Sequence, residues 1–303
     1  MPTLLRRTLT TLSLLAIVVL SFQLMRAQTL PMSPARAEAH ETPEWQTLLP
    51  HLPNRATATP EQLELAGDVL RARRFQEDAL DYYKSAIERG GEQAHFLNRM
   101  GITELELHRV DLARACFKRV LQLKPRDPEA WNNLGATEHV AGNYLEAVTD
   151  YRRSVKINKR NAVFHSNLGT ALFEAKDYEG ATSQFELAAH LDPKVFQRNG
   201  SGGIEASVSS STDRGRFCFT VAQISMRHGD VEGALTWLKK ASDAGFELGY
   251  EMSQVKEFAT FRLDPRVKTI IQNAKALRST RIASESAPPA LPALPAEPAR
   301  VSH

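Results

Sequence analysis

An all-α solenoid, built from helix-turn-helix units in series, is the fold class that the sequence predicts, and three observations predict it. The first is a pattern written twice: Trp131-Asn132-Asn133-Leu134-Gly135, Ala147 and Tyr151, then His165-Ser166-Asn167-Leu168-Gly169, Ala181 and Phe185. The second is its constant offset, since Leu134 to Leu168, Gly135 to Gly169, Ala147 to Ala181 and Tyr151 to Phe185 are each 34 residues apart, the length of one helix-turn-helix unit. The third is that the offset runs backwards, to Met100-Gly101, Ala113, Phe117 and Pro125, and again to Ala66-Gly67, Ala79 and Tyr83.

Two antiparallel helices of three or four turns with short connections account for that period. Leu and Gly sit side by side on the first helix of each unit. The Gly, lacking a Cβ, admits the second helix where Ala147 or Ala181 arrives, and the ring of Tyr151 or Phe185 fills the remaining gap. These residues resemble the tetratricopeptide repeat, W-x2-L-G-x2-Y…A-x3-F…P. Asp192-Pro193 closes the second copy where that family places its helix-ending proline, and Glu138 and Leu172 depart from it at the Tyr position. The resemblance implies a right-handed solenoid of about five units with a closing C-terminal helix, used as a protein-binding scaffold of the bacterial exported type.

In chain order, residues 1–27 open with Arg6-Arg7 and then run without charge from Thr8 to Leu24 before Arg26. This is read as an export segment, either cleaved near Ala27 or Ala35-Arg36-Ala37 or retained as an anchor, in which case the repeats hang outside the cytoplasm. Prolines 31, 34, 43, 50 and 53 exclude any long helix within 28–59, which is read as a tether, although Glu44 to Leu49 could form one apolar-faced turn. Thr59 and Pro60 then cap and start the array. Four units follow, at 60–93, 94–127, 128–161 and 162–195, with Gly90-Gly91 ending the second helix of the first. The Gly- and Ser-rich stretch 196–215 breaks the period, as a loop or as a β-hairpin within 195–208. Residues 216–278 resume it, with Ala222, Ala234, Leu238 and Ala241 in the repeat slots. Asp264-Pro265 then starts a closing helix. The tail 279–303, with prolines 288, 289, 292, 295 and 298, is read as disordered.

Composition narrows the function. A hydrophobic content of 42% with 24% charged residues is that of a folded chain, and 38 basic against 35 acidic residues give a net charge of only +3, so no global field points to nucleic acid or membrane lipid. Two cysteines exclude a disulfide framework. Cys116 and Cys218 lie several helices apart and are expected as buried thiols. No metalloprotease, nucleophile-elbow, Cys-x-x-Cys or phosphate-loop motif occurs, so neither an enzyme nor a cofactor is expected. His139 and His165 on neighbouring first helices lack the further ligands that tetrahedral zinc needs. Bases gather on the second helices, and a solvated outer face competes there with attraction to an anionic bilayer or an acidic partner.

Function is therefore expected in a groove walled by first helices. Asn133 and Asn167 share one slot, where an Asn ladder could hold a partner's peptide groups or simply hydrogen-bond water or the adjacent repeat. Asn98, Asn132, Ser166, Thr170 and His139 are their neighbours. Arg99 and Leu65 fill the slot in the earlier units, so a paired Lys/Asn carboxylate clamp is not assembled. The expected partner is a protein or peptide.

Overall fold

The computed structural model describes residues 32–197 and 211–285, and every regular element among them is helical. The export segment 1–27, most of the 196–215 insertion and the tail beyond 285 lie outside the described residues. Of the hairpin considered for 195–208, Val195–Gln197 form a 3-10 turn and the remainder falls outside.

From residue 32 on, the segment read as a tether is instead folded onto the array. Pro34–His40 (α1) and Pro43–Leu48 (α2) are short helices, each with its proline in the first turn behind a capping hydroxyl, Ser33 accepting from Arg36 N–H and Thr42 from Trp45 N–H. Proline breaks a helix interior but suits a helix start, and these prolines occupy starts. Trp45 is buried against Phe75, with ring centroids 5.1 Å apart, and stacks on His40 at 3.8 Å. Arg36 bonds Asp78 and Asp81 at 2.6 and 2.7 Å, which fixes α1 on the first unit.

Thr59 and Gln62 form a reciprocal capping box at the start of Pro60–Ala72 (α3). Gln76–Glu88 (α4) completes the first unit. Then come Gln93–Glu106 (α5) with Val110–Leu123 (α6), Pro128–Val140 (α7) with Tyr144–Ile157 (α8), and Ala162–Glu174 (α9) with Tyr178–Leu191 (α10). Each first helix packs on its own second helix, and each second helix on the next first helix. Within units the chain turns through a left-handed residue at a fixed place, Arg74, His108, Gly142 and Lys176, 34 apart like everything else.

The repeat glycines show why the slot is empty of side chain. A Cβ on Gly67, Gly101, Gly135 or Gly169 would come within 2.5 to 2.9 Å of the ring of Tyr83, Phe117, Tyr151 or Phe185 respectively. All four rings are completely buried, as are Ala79, Ala113, Ala147 and Ala181.

Ser211–Arg227 (α11) and Val231–Asp243 (α12) form a fifth pair. α11 begins inside the stretch read as non-helical, because small polar residues and Asp213 suit a helix N-terminus. Phe217 carries the core across the insertion, edge-on to Phe173, Phe185 and Trp237 at 5.8, 5.4 and 5.9 Å. Leu248–Gln254 (α13) and Pro265–Glu285 (α14) close the array over Leu238, Ala241 and Phe258. α14 runs seven residues into the segment read as tail, since the first proline there is Pro288. Cys116 and Cys218 are free, and burial pushes both thiols up to about 11.

Candidate partner-binding wall

The first helices α3, α5, α7 and α9 place residues 65, 99, 133 and 167 in one register. The side chains there change character along the array. Leu65 is 68% exposed, and Val69 one turn on is also exposed. Arg99 bonds back to α3, to Glu64 at 2.6 Å and Asp68 at 2.7 Å. Asn133 and Asn167 are 2% and 1% exposed.

The two asparagines are therefore not an open ladder. Asn133 Nδ2 donates to Asn98 Oδ1 at 3.0 Å, Asn132 Nδ2 to Asn133 Oδ1 at 3.3 Å, and Asn167 Nδ2 to Asn132 Oδ1 at 3.0 Å. This amide chain stitches α5 to α7 and α7 to α9. Of the two roles the sequence left open, the geometry has the asparagines bonding the adjacent repeat, because first helices approach closely enough for amides to meet. Thr170 is equally occupied: its hydroxyl donates to the Ser166 carbonyl at 3.0 Å. Ser166 and Asn98 are half-buried.

His139 is buried edge-on to Tyr144, at 5.3 Å between centroids. Desolvation lowers its pKa, opposed by the charge of Glu174. His165 has other partners, with Nδ1 2.8 Å from Gln184 Oε1 and Nε2 3.1 Å from the Lys159 carbonyl. Among the described residues no cluster of three or more His, Cys, Asp or Glu could hold a metal ion.

The sequence reading missed the crevices between units on the second-helix side. One, of about 580 Å³, is lined by Leu121, Trp131, Leu134, Asp150 and Arg153; the next, of about 540 Å³, has Val155, His165, Leu168, Gln184 and Leu187 at the same register. In the first, Arg153 lies over the Trp131 ring at 4.4 Å and 3.5 Å from Asp150. Burial pushes Asp150 up to about 6. Burial also acts on Glu138, but hydrogen bonds from Arg114 and Asn143 outweigh it and hold that carboxyl below its ordinary value. The signal in the sequence was a Glu in a slot where the repeat has an aromatic. The second crevice has no carboxylate in its lining and is walled by Arg152, Lys156, Lys159 and His190.

None of the described helices is long and apolar enough to cross a membrane. The run Thr8–Leu24 is outside them.

Comparison with known proteins agrees with the period. The tetratricopeptide repeat family matches residues 98–162 and 141–195. The chain is 22% identical over 147 residues to the human protein O-mannosyl-transferase TMTC1, covering 47% of this chain and 17% of that one. It is 29% identical over 114 residues to the BBSome complex member BBS4 of Xenopus tropicalis, covering 38% and 22%. It thus spans less than a quarter of either relative. Among solved structures, MamA of Desulfovibrio magneticus RS-1 aligns at 19% identity and a TM-score of 0.43, over 64% of this chain and 96% of that one. With the same register running back to Gly67 and on to Ala222, residues 98–195 at the centre of the chain are tetratricopeptide repeats.

Proposed function

We propose that the protein is a non-enzymatic scaffold of the cell envelope, holding a segment of a partner protein against its wall of first helices, and that residues 1–27 deliver it there as a cleaved signal or a retained anchor. Tetratricopeptide repeats are interaction modules, and stacked helix pairs present an extended surface suited to a peptide. The observation that carries the reading is the open end of that wall. Leu65 and Val69 stand exposed one turn apart on α3, beside the charged group Arg99, Glu64 and Asp68. An apolar contact ringed by charge is the anatomy of a binding surface. From there a partner would pass Asn98 and Ser166, while Asn132, Asn133, Asn167, Thr170 and His139 hold the shape of the wall beneath it.

Site-specific photo-crosslinking in intact cells tests this. A crosslinker at position 65 should capture one reproducible protein, and the same group at Leu145, which is 70% exposed on a second helix, should not. Equal, non-specific capture at both positions would favour a structural spacer or an accessory subunit held by another face. Fractionation of the same cells reads the location: full-length chain in the soluble cytoplasm would end the envelope assignment.

A further inference from the structure

Two stretches of the second-helix side carry bases without acids. Residues 118–126 hold four and 152–160 hold five, and neither contains Asp or Glu. Basic residues complement the negative end of a helix, but Arg152 lies more than a turn before the end of α8, and Lys159 and Arg160 lie beyond it. Arg152, Lys156, Lys159 and Arg160 make no ion pair among the described residues.

Three of these four line the crevice of about 540 Å³ between α8 and α10. Its lining differs from that of the preceding crevice in a telling way. Where Asp150 balances Arg153 in the first, Gln184 and Leu187 stand in the second, so the carboxylate is gone and the cations are uncompensated. His165 is buried at the crevice wall, fixed by Gln184 and the Lys159 carbonyl. The rim is aliphatic: Leu187 and Leu191 are 43% and 38% exposed. Leu191 is also one rung of a series, since Leu123 and Ile157, at the same place in the two preceding units, are 40% and 36% exposed.

We infer that this face docks on an anionic phospholipid bilayer, the crevice between α8 and α10 receiving a headgroup phosphate. A row of aliphatic side chains along one edge of three successive units, with Arg152, Lys156, Lys159 and Arg160 unpaired beside its last two rungs, matches a planar surface in which anionic groups overlie an apolar layer. The inference rests on the reading of residues 1–27 as bringing the chain to a membrane. Bilayer docking would lay the second helices against the lipid and leave the first-helix wall free for its partner.

Flotation of the full-length chain with vesicles tests it, using phosphatidylcholine alone and an equal mixture with phosphatidylglycerol. The variant carries Arg152→Gln, Lys156→Gln and Lys159→Gln. All three residues are exposed, and an unchanged melting curve verifies the fold. Loss of three surface charges is expected to weaken partition into the mixed vesicles about a hundredfold, with partition into phosphatidylcholine unchanged. A second variant, Leu187→Ser with Leu191→Ser, is expected to weaken partition into the mixture while retaining its salt dependence. Equal partition of wild type and triple variant into the mixture would overturn the inference. So would saturable binding of inorganic phosphate at His165 and His190 without any preference for phosphatidylglycerol, which would make the crevice a soluble-anion site. Failure to bind phosphatidylcholine at all strikes the anchor reading alone and leaves the crevice result standing.

Discussion

Gly135 and Tyr151 touch through an atom that is absent: a Cβ on Gly135 would lie 2.9 Å from Tyr151 Cδ1, inside any normal contact. The fifth unit solves the same packing problem differently, with Ala222 in the Gly slot and Leu238 in the ring slot, both completely buried. The two positions are therefore coupled. Gly135→Ala is expected to cost about 1 to 3 kcal/mol through overpacking, offset by up to about 1 kcal/mol of helix propensity, and Gly135→Leu should cost more. Tyr151→Leu alone leaves a cavity. The double variant Gly135→Ala with Tyr151→Leu should be more stable than the sum of the single changes by about 1 kcal/mol. Urea denaturation of the four proteins measures this, and strict additivity would refute the contact.

Tyr151 is also the odd member of its own series. Its hydroxyl is buried and makes no hydrogen bond among the described residues, and burial raises its pKa. Phe117 and Phe185 fill the slot without a hydroxyl. Tyr83, by contrast, donates to Asp68 Oδ1 at 2.6 Å. Tyr151→Phe should thus leave stability unchanged or raise it by up to about 1 kcal/mol, whereas Tyr83→Phe should lower it by about 1 kcal/mol. Thermal melts of the two single variants decide it, and destabilisation of both by equal amounts would show that Tyr151 has a partner after all.

Asp150 supplies a pH signature. Burial pushes its pKa up to about 6 in the folded chain from an ordinary 3.8, so the folded state binds the proton more tightly than the unfolded state does. The sign follows: the carboxylate costs nothing below about 3.8, costs progressively more as pH rises towards 6, and imposes its full penalty above that. Asp150→Asn should therefore stabilise the protein at pH 7.5 by about 1 to 3 kcal/mol, and the gain should vanish near pH 4. A gain that persists at low pH would mean that the variant acts through packing.

These relationships differ in how far the sequence exposed them. The Gly135 and Tyr151 contact was legible because both partners recur with one period, and a period needs no knowledge of tertiary approach. The docking of the N-terminal cap was not, since prolines 34 and 43 exclude a long helix but do not say where short ones pack. Whether a proline ends or begins a helix depends on the hydroxyl before it and on a docking surface, here Phe75 and Asp78, more than thirty residues further on. The crevice at His165 was illegible for a similar reason, because its walls come from three helices of two units and only their packing brings the bases together. The Asn slot is the instructive intermediate. Register placed Asn133 and Asn167 on the inner wall, but the distance between neighbouring first helices decides whether an amide there meets a partner or another amide.

That distinction yields the last prediction. Asn132 both donates to Asn133 and accepts from Asn167, and it is only 1% exposed. Removing it takes one buried hydrogen bond from Asn133 Oδ1 and another from Asn167 Nδ2, and an unsatisfied buried polar group costs about 1 to 3 kcal/mol. Asn98, half-buried at the end of the chain of amides, can be replaced by water on its one known partner, so its loss should cost less than about 1 kcal/mol. Asn132→Ala should therefore destabilise clearly more than Asn98→Ala in urea, and hydrogen exchange should quicken along α7 and α9 together, since the amide chain joins them. If the asparagines served instead to grip a partner, the difference in stability would vanish: Asn132→Ala would leave stability untouched, and the two variants would differ only in partner affinity.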